Sequence, residues 1–160
     1  MGGCRAKPGS ERRVQGVEME PRQVRSAADA RAIVEDRGVN HVKVGAFDID
    51  GIMRGKYISR DKFLSSLDGG FGFCDVVLGW DCQDQLYDNV KYTGWHTGYP
   101  DAPVRILPDT CRELPFEDNG LFFLGEFSPP SETVCPRALL RRVLERGRSM
   151  GYEAYVGFEY

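Results

Sequence analysis

Histidine is almost missing from this 160-residue sequence: His41 and His96 are the only two. That is too few for the imidazole-rich sites that hold catalytic zinc. The five cysteines, Cys4, Cys74, Cys82, Cys111 and Cys135, are odd in number and contain no C-x-x-C pair. They signal neither a disulfide framework nor a zinc knuckle, so reduced thiols are expected and any metal site must lean on carboxylates. No stretch reaches the ~20 apolar residues of a membrane span, and the start lacks the apolar run of a secretory signal. A cytoplasmic protein without membrane association is expected. Gly2 invites N-myristoylation, but the Ser or Thr needed five positions beyond Met1 is Ala6. The phosphate-cradling pattern G-x-x-x-x-G-K-[ST] is absent, so a nucleotide would not be held by a P-loop.

Charge of one sign is also lacking, with 21 basic against 24 acidic residues and a net charge of −3. The distribution is uneven: residues 1–25 hold six Arg and Lys against three Glu, whereas residues 75–120 hold nine acids against three bases. The acidic half argues against duplex nucleic acid as a partner, because that task needs a clustered positive surface. The length suits one domain, or one small domain with a fragment of another.

Residues 1–22 carry almost no aliphatic pattern and read as a flexible tail, within which Met19 is an alternative start. Ser26 to Asp36 reads as a helix, with Ser26 and Asp29 as a capping pair, an apolar stripe at Ala30, Ile33 and Val34, and Gly38 as the stop. Val42, Val44 and Ala46 then alternate with His41, Lys43 and Gly45 at strand period, and Asp50-Gly51 precedes a second strand-like run. Residues 41–59 are thus expected to form a β-hairpin. Asp48 and Asp50 resemble the start of a calcium loop, but its twelfth position is Ser59 where a bidentate Glu is required. Arg60 to Leu67 suits a short helix. Gly70-x-Gly72 opens like a dinucleotide fingerprint, yet the third glycine is replaced by Asp75.

Residues 80–103 show no period and are expected to form a long loop, a length that tends to be functional when ordered. Its aromatics, Trp80, Tyr87, Tyr92, Trp95 and Tyr99, suit either core anchors or a contact surface for a neighbouring subunit. Strands are expected at Val104 to Leu107 and Leu121 to Phe127. After the linker Pro129-Pro130-Ser131, Pro136 suits the first turn of a helix with apolar positions Leu139, Leu140, Val143 and Leu144, and Gly151 ends it. Residues 153–160 alternate as a strand, whose apolar face the helix should cover and from which Glu159 points away.

The order of these segments carries a resemblance. The hairpin run Asp48-Ile49-Asp50-Gly51-Ile52-Met53-Arg54-Gly55-Lys56, then Trp80-Asp81, Asp101, Pro108-Asp109, Cys135-Pro136-Arg137 and Gly157-Phe158-Glu159-Tyr160, resembles the N-terminal part of glutamine synthetase over about residues 24 to 160. The resemblance implies an α+β fold: a β-grasp domain over residues 23–128, then the first helix and strand of a catalytic domain over residues 129–160. It implies an ATP-dependent ligase that uses Mg2+ or Mn2+ to phosphorylate glutamate and lets ammonia displace the phosphate. Active sites would lie between subunits of a homo-oligomeric ring.

The resemblance also assigns residues. Gly157-Phe158-Glu159-Tyr160 matches the first four positions of a G-x-E-x-E-F strand, which makes Glu159 a metal ligand. Carboxylates two apart on a strand share a side and can coordinate neighbouring hard cations, but the second glutamate would be residue 161. Asp81 matches the aspartate of an Asp-Gly-Ser-Ser segment that binds and deprotonates the ammonium, and Asp101 matches a second aspartate of that loop. Asp84 and Asp88 compete for these roles. Cys82, Gln83 and Asp84 replace the family's glycine and two serines, which leaves a γ-glutamyl-polyamine or γ-glutamyl-monoamine ligase as the alternative. The nucleotide pocket and glutamate site would lie beyond Tyr160, so the chain alone is expected to be inactive. A non-catalytic β-grasp interaction module is the alternative of a different class.

Overall fold

The computed structural model describes residues 19–159. The first helix, α1 (Ala27–Asp36), starts where Ser26 Oγ accepts the Asp29 N–H at 3.1 Å and the Asp29 carboxylate accepts the Ser26 N–H at 3.0 Å. This reciprocal pair satisfies two backbone donors that a helix start otherwise leaves bare. The same carboxylate takes the Arg25 N–H. Hydrogen bonds to its charged form, that from Arg25 first, hold Asp29 below the usual carboxylate range. Ala30, Ile33 and Val34 are buried, and Gly38 turns the chain with a φ of +61°.

The hairpin follows as expected: β1 (His41–Phe47) pairs antiparallel with β2 (Met53–Ser59), Val44 opposite Lys56. Helix α2 (Arg60–Gly69) is capped by Ser59 and ends at Gly70, which has a φ of +71°. Three more strands, β3 (Phe71–Cys74), β4 (Asp101–Glu113) and β5 (Leu121–Phe127), complete a sheet of order β2-β1-β5-β4-β3, antiparallel except for β1 beside β5. Helix α3 (Pro136–Ser149) comes last. The fold is α+β. Its core lies between α1, α2 and one sheet face, where Val42, Val44, Ala46, Leu121, Phe123 and Phe127 are buried. Phe63 of α2 sets its ring 4.7 Å from that of Phe123.

The edge strands approach one another. Lys56 of β2 donates to the Gly72 carbonyl of β3 at 2.9 Å, and its ammonium sits 5.3 Å and 5.0 Å from the Phe71 and Phe73 ring centres. A sheet whose first and last strands meet through one side chain is strongly curled. The curl brings the segment after β3 over the β1–β2 turn.

Four expectations are corrected. Strand β3 went unread because two glycines disguise it. A Cβ on Gly70 would lie 2.6 Å from the Val104 carbonyl oxygen, and one on Gly72 would lie 2.6 Å from Asp101 Oδ2. These glycines serve close strand packing, and no nucleotide turn forms. Strand β4 starts at Asp101 and runs to Glu113, so the long loop stops at residue 100. Pro103 and Pro108 made this strand look broken, but the sheet accommodates the second within a register shift between Leu107 and Arg112.

The flexible tail expected over residues 1–22 does not extend to its last residues. Residues 1–18 lie outside those described, but Pro21–Gln23 form a 3-10 turn with Pro21 buried, and Met19 packs against the core. At the other end, residues 152–159 form no strand and are exposed. Leu139, Leu140 and Val143 of α3 stay more than half exposed, with only Ala138 of the helix buried. A strand needs a ladder partner for its backbone, and residues 152–159 pair with no strand of this sheet.

Candidate functional site

The turn between β1 and β2 is built around Asp48, whose side chain is fully buried. Its Oδ1 accepts the N–H groups of Asp50 at 3.0 Å and Ile52 at 2.8 Å, while Gly51 takes a φ of +81°. Both acids of the calcium-like sequence are thereby committed to the turn and its neighbour. Asp48 Oδ2 receives Arg54 Nε at 2.7 Å. Arg54 lies opposite Ala46 in the hairpin register, on the core-facing side of β2, so its charge needs internal partners. The bond to Asp48 comes first among the causes that push the Arg54 pKa above its ordinary value.

Arg54 joins the hairpin to the loop after β3. Its Nη1 lies 2.6 Å from Asp84 Oδ1, its Nη2 lies 3.3 Å from the Asp81 carbonyl oxygen, and the guanidinium sits 5.0 Å from the Trp80 ring centre. Asp50 adds a second tie: its Oδ2 accepts the Cys82 N–H at 2.9 Å, and the Tyr87 hydroxyl lies 3.4 Å from both its oxygens. Burial, with the nearby negative charge of Asp50 second, raises the Tyr87 pKa and keeps the phenol protonated.

Asp81 folds this loop upon itself. Its Oδ1 accepts the N–H groups of Gln83 at 2.8 Å and Gln85 at 2.9 Å, and its own N–H reaches the Gln85 carbonyl at 3.0 Å. Asp81 Oδ2 takes no hydrogen bond from the described residues. The carboxylate is therefore fixed at one oxygen, while the other keeps its capacity to accept. Asp84, with a φ of 64°, is paired with Arg54, and Asp88 is exposed.

The other two predicted residues stand apart from this network. Asp101 is exposed at the first position of β4, opposite Cys74, its carboxylate against Gly72. Glu159 is exposed within the irregular final segment. Among the described residues no group of three His, Cys, Asp or Glu stands ready to hold a metal ion. The residues described do not by themselves fit a divalent cation, which needs several oxygen ligands drawn together. Nor does any described helix have the length and apolarity to cross a membrane.

Sequence reasoning named Asp81 as a candidate but did not join Arg54, Asp48 and Trp80 into one unit. The available signal was an arginine at a core-facing position of an alternating strand, six residues after an aspartate that precedes a turn.

The loop's aromatics divide. Trp80 and Tyr92 pack against the core, the Tyr92 hydroxyl 2.6 Å from Ser131 Oγ, while Trp95 is 83% exposed with Tyr99 edge-on at 5.4 Å. Deeper in the loop, Thr93 and Asp75 are both buried and hydrogen-bonded at 2.6 Å.

The chain has relatives among known proteins. Type-1 glutamine synthetase 2 of Dictyostelium discoideum is 45% identical over 123 residues, 74% of this chain. The chain belongs to the glutamine synthetase family. Glutamate–isopropylamine ligase of a Pseudomonas species is 32% identical over 81% of the chain, and gamma-glutamylethanolamide synthetase GlnA4 of Streptomyces coelicolor is 29% identical over 82%. The chain spans between 23% and 29% of the length of these relatives. No family model matches it.

Solved structures share the fold. A GmaS/ADP complex superposes with a TM-score of 0.55 at 16% identity, over 76% of this chain and 26% of that one. Plasmodium falciparum glutamine synthetase gives 0.55 at 17% identity, over 79% and 23%. At 16% to 17% identity these likenesses show a shared fold alone.

Proposed function

We propose that this chain is the amine-side portion of an ATP-dependent carboxylate–amine ligase that joins glutamate to ammonia. The observation that carries the reading is the Asp81 carboxylate, anchored through Oδ1 and open at Oδ2, on a loop locked to the hairpin. An open carboxylate oxygen stabilises an ammonium by charge and takes the proton whose loss makes the nitrogen a nucleophile. Residues 23–128 would form the β-grasp domain and residues 129–160 the opening of the catalytic domain. Asp101 would serve the same loop from the start of β4. The assembled ring would bind ATP with Mg2+ or Mn2+, Glu159 supplying one oxygen ligand among others that the described residues do not contain.

A larger amine is the second reading, favoured by two observations. Cys82-Gln83-Asp84 follows Asp81 where the family's pattern has glycine and two serines. Two of the relatives are named for organic amines or their amides, one a glutamate–isopropylamine ligase and the other a gamma-glutamylethanolamide synthetase.

The test is a screen of the longer enzyme for glutamate-dependent ADP release with ammonia, ethylamine, ethanolamine and putrescine. Turnover with ammonia highest supports the first reading, and preference for an organic amine supports the second. Absence of amide product with any amine would refute both. Glu159→Ala is expected to raise the Mg2+ requirement and reduce turnover at least about a hundredfold, and an unchanged metal titration would remove Glu159 from the site.

A further inference from the structure

We propose that Arg54 is the positioning residue of the amine loop, the side chain that sets the orientation in which Asp81 meets the amine. The inference rests on the ligase reading above and deepens it.

Arg54 touches the loop at its backbone and at its tip. Three nitrogens of one planar group point to three different acceptors: Nε to buried Asp48, Nη1 to Asp84, and Nη2 to the Asp81 carbonyl. Trp80, the residue before Asp81, closes one face of the guanidinium at 5.0 Å. A rigid fork presents three separate nitrogens to three separated acceptors, which the one nitrogen of a lysine cannot reach together.

The loop needs such a hold. Asp84 sits at a φ of 64°, a left-handed conformation that is strained for a residue with a side chain. Its ion pair with Arg54 supplies a compensation. The bonds from Gln83 and Gln85 to Asp81 Oδ1 make the carboxylate move with its own backbone. That backbone is what Nη2 grips. Freeing it would let the open Oδ2 swing without breaking a bond inside the loop. Arg54 itself is one residue removed from the amine: its nitrogens are spent on protein acceptors, so it orients Asp81 and leaves the proton transfer to that carboxylate.

Arg54→Lys provides the test, first in the 160-residue chain by amide hydrogen exchange. Exchange at Gln83 and Gln85 should speed up about tenfold or more relative to the β5 amides, which report global unfolding. In the longer enzyme, the KM for the amine should rise about tenfold and kcat fall with it while the KM for glutamate holds, because a misplaced Asp81 weakens both binding of the amine and transfer of its proton. Asp84→Asn, which removes only the outer ion pair and leaves the Asp48 link, should show both effects in smaller measure and serves if Arg54→Lys does not fold. Unchanged exchange at Gln83 and Gln85 overturns the proposal. Faster exchange with an unmoved amine KM overturns it too, since the loop would then be held for some other purpose. Loss of amide formation in the unsubstituted enzyme is a different failure, that of the ligase reading itself.

Discussion

Arg54 Nε lies 2.7 Å from Oδ2 of Asp48, and Asp48 is wholly out of solvent. One carboxylate thus shapes the β1–β2 turn through Oδ1 and fixes the arginine through Oδ2. Replacing it with alanine leaves two turn amides without their acceptor and a largely enclosed guanidinium without its inner counter-charge. Removing one partner of a buried pair is far more costly than the pair is worth. Asp48→Ala is expected to cost about 3 kcal/mol, read as a lower urea midpoint with an unchanged slope. A loss below about 1 kcal/mol would mean that water replaces the carboxylate.

The contact between Phe63 and Phe123 holds α2 to the central strands. Both rings are fully buried, with centres 4.7 Å apart. Phe63→Ala leaves a cavity in addition to the lost transfer energy, for an expected cost of about 3 to 4 kcal/mol. Leucine at the same position should recover more than half of that. Thermal unfolding followed by circular dichroism distinguishes the two.

The helices and the hairpin were legible because each carries its own local chemistry: Ser26 with Asp29, Asp50 with Gly51, Pro136 with Gly151. Strand β5 was legible to the residue, since buried strand positions leave a plain apolar pattern. Strand β3 was not, because what makes Phe71–Cys74 a strand is the close approach of β4 to Gly70 and Gly72, a tertiary fact. The same reason hid Arg54. An arginine on a strand edge reads as solvated until the sheet's curl brings Asp84 and Trp80 to it. Asp81 was named through a family pattern, whereas its anchoring by Gln83 and Gln85 follows from the turn the loop makes. Residues 153–160 alternate like a strand, but alternation cannot supply the neighbour that a ladder requires.

The cap of α1 gives a signed acid dependence. Asp29 has its folded pKa lowered, chiefly by the Arg25 and Ser26 hydrogen bonds. Its contribution is therefore fully present above the unfolded value of 3.8 and is lost as pH falls through the lower folded value. Ser26→Ala removes the reciprocal bond, for an expected loss of about 1 kcal/mol at neutral pH. It should also shrink the acid-induced loss between pH 5 and 2, as measured by denaturant titration across that range. An identical acid limb in both proteins would detach Asp29 from the cap.

The cysteines should separate by reactivity. Cys111 is fully enclosed, and burial pushes its pKa from 9.0 up to about 11 against the weaker pull of Arg37 and Arg112. Its thiol stays protonated and inert at neutral pH, because only the thiolate attacks. Cys82 is exposed. Iodoacetamide at pH 8 should label Cys82 within minutes and leave Cys111 and Cys135 unmodified until urea unfolds the chain, as peptide mass spectrometry would show. The raised pKa of Cys111 stabilises the fold fully below pH 9, and that contribution is lost as pH rises toward 11. Early labelling of Cys111 in the native protein would show that the core opens around β4.

Asp81→Asn separates the two tasks assigned to one carboxylate. The amide keeps a carbonyl oxygen where Oδ1 now accepts the Gln83 and Gln85 N–H groups, so the loop has its acceptor. What disappears is the negative charge and the capacity to take a proton. Exchange at Gln83 and Gln85 in the 160-residue chain should stay within about twofold of the unsubstituted value. In the longer enzyme, amide formation should fall about a hundredfold or more, the usual scale for a lost general base, while acyl phosphate still forms and can be trapped with hydroxylamine. Asp81→Ala should lose both the loop's internal bonds and the amine step. If Asp81→Asn turns over like the unsubstituted enzyme, Asp81 is a loop residue alone, and the proton must leave the amine by way of another group.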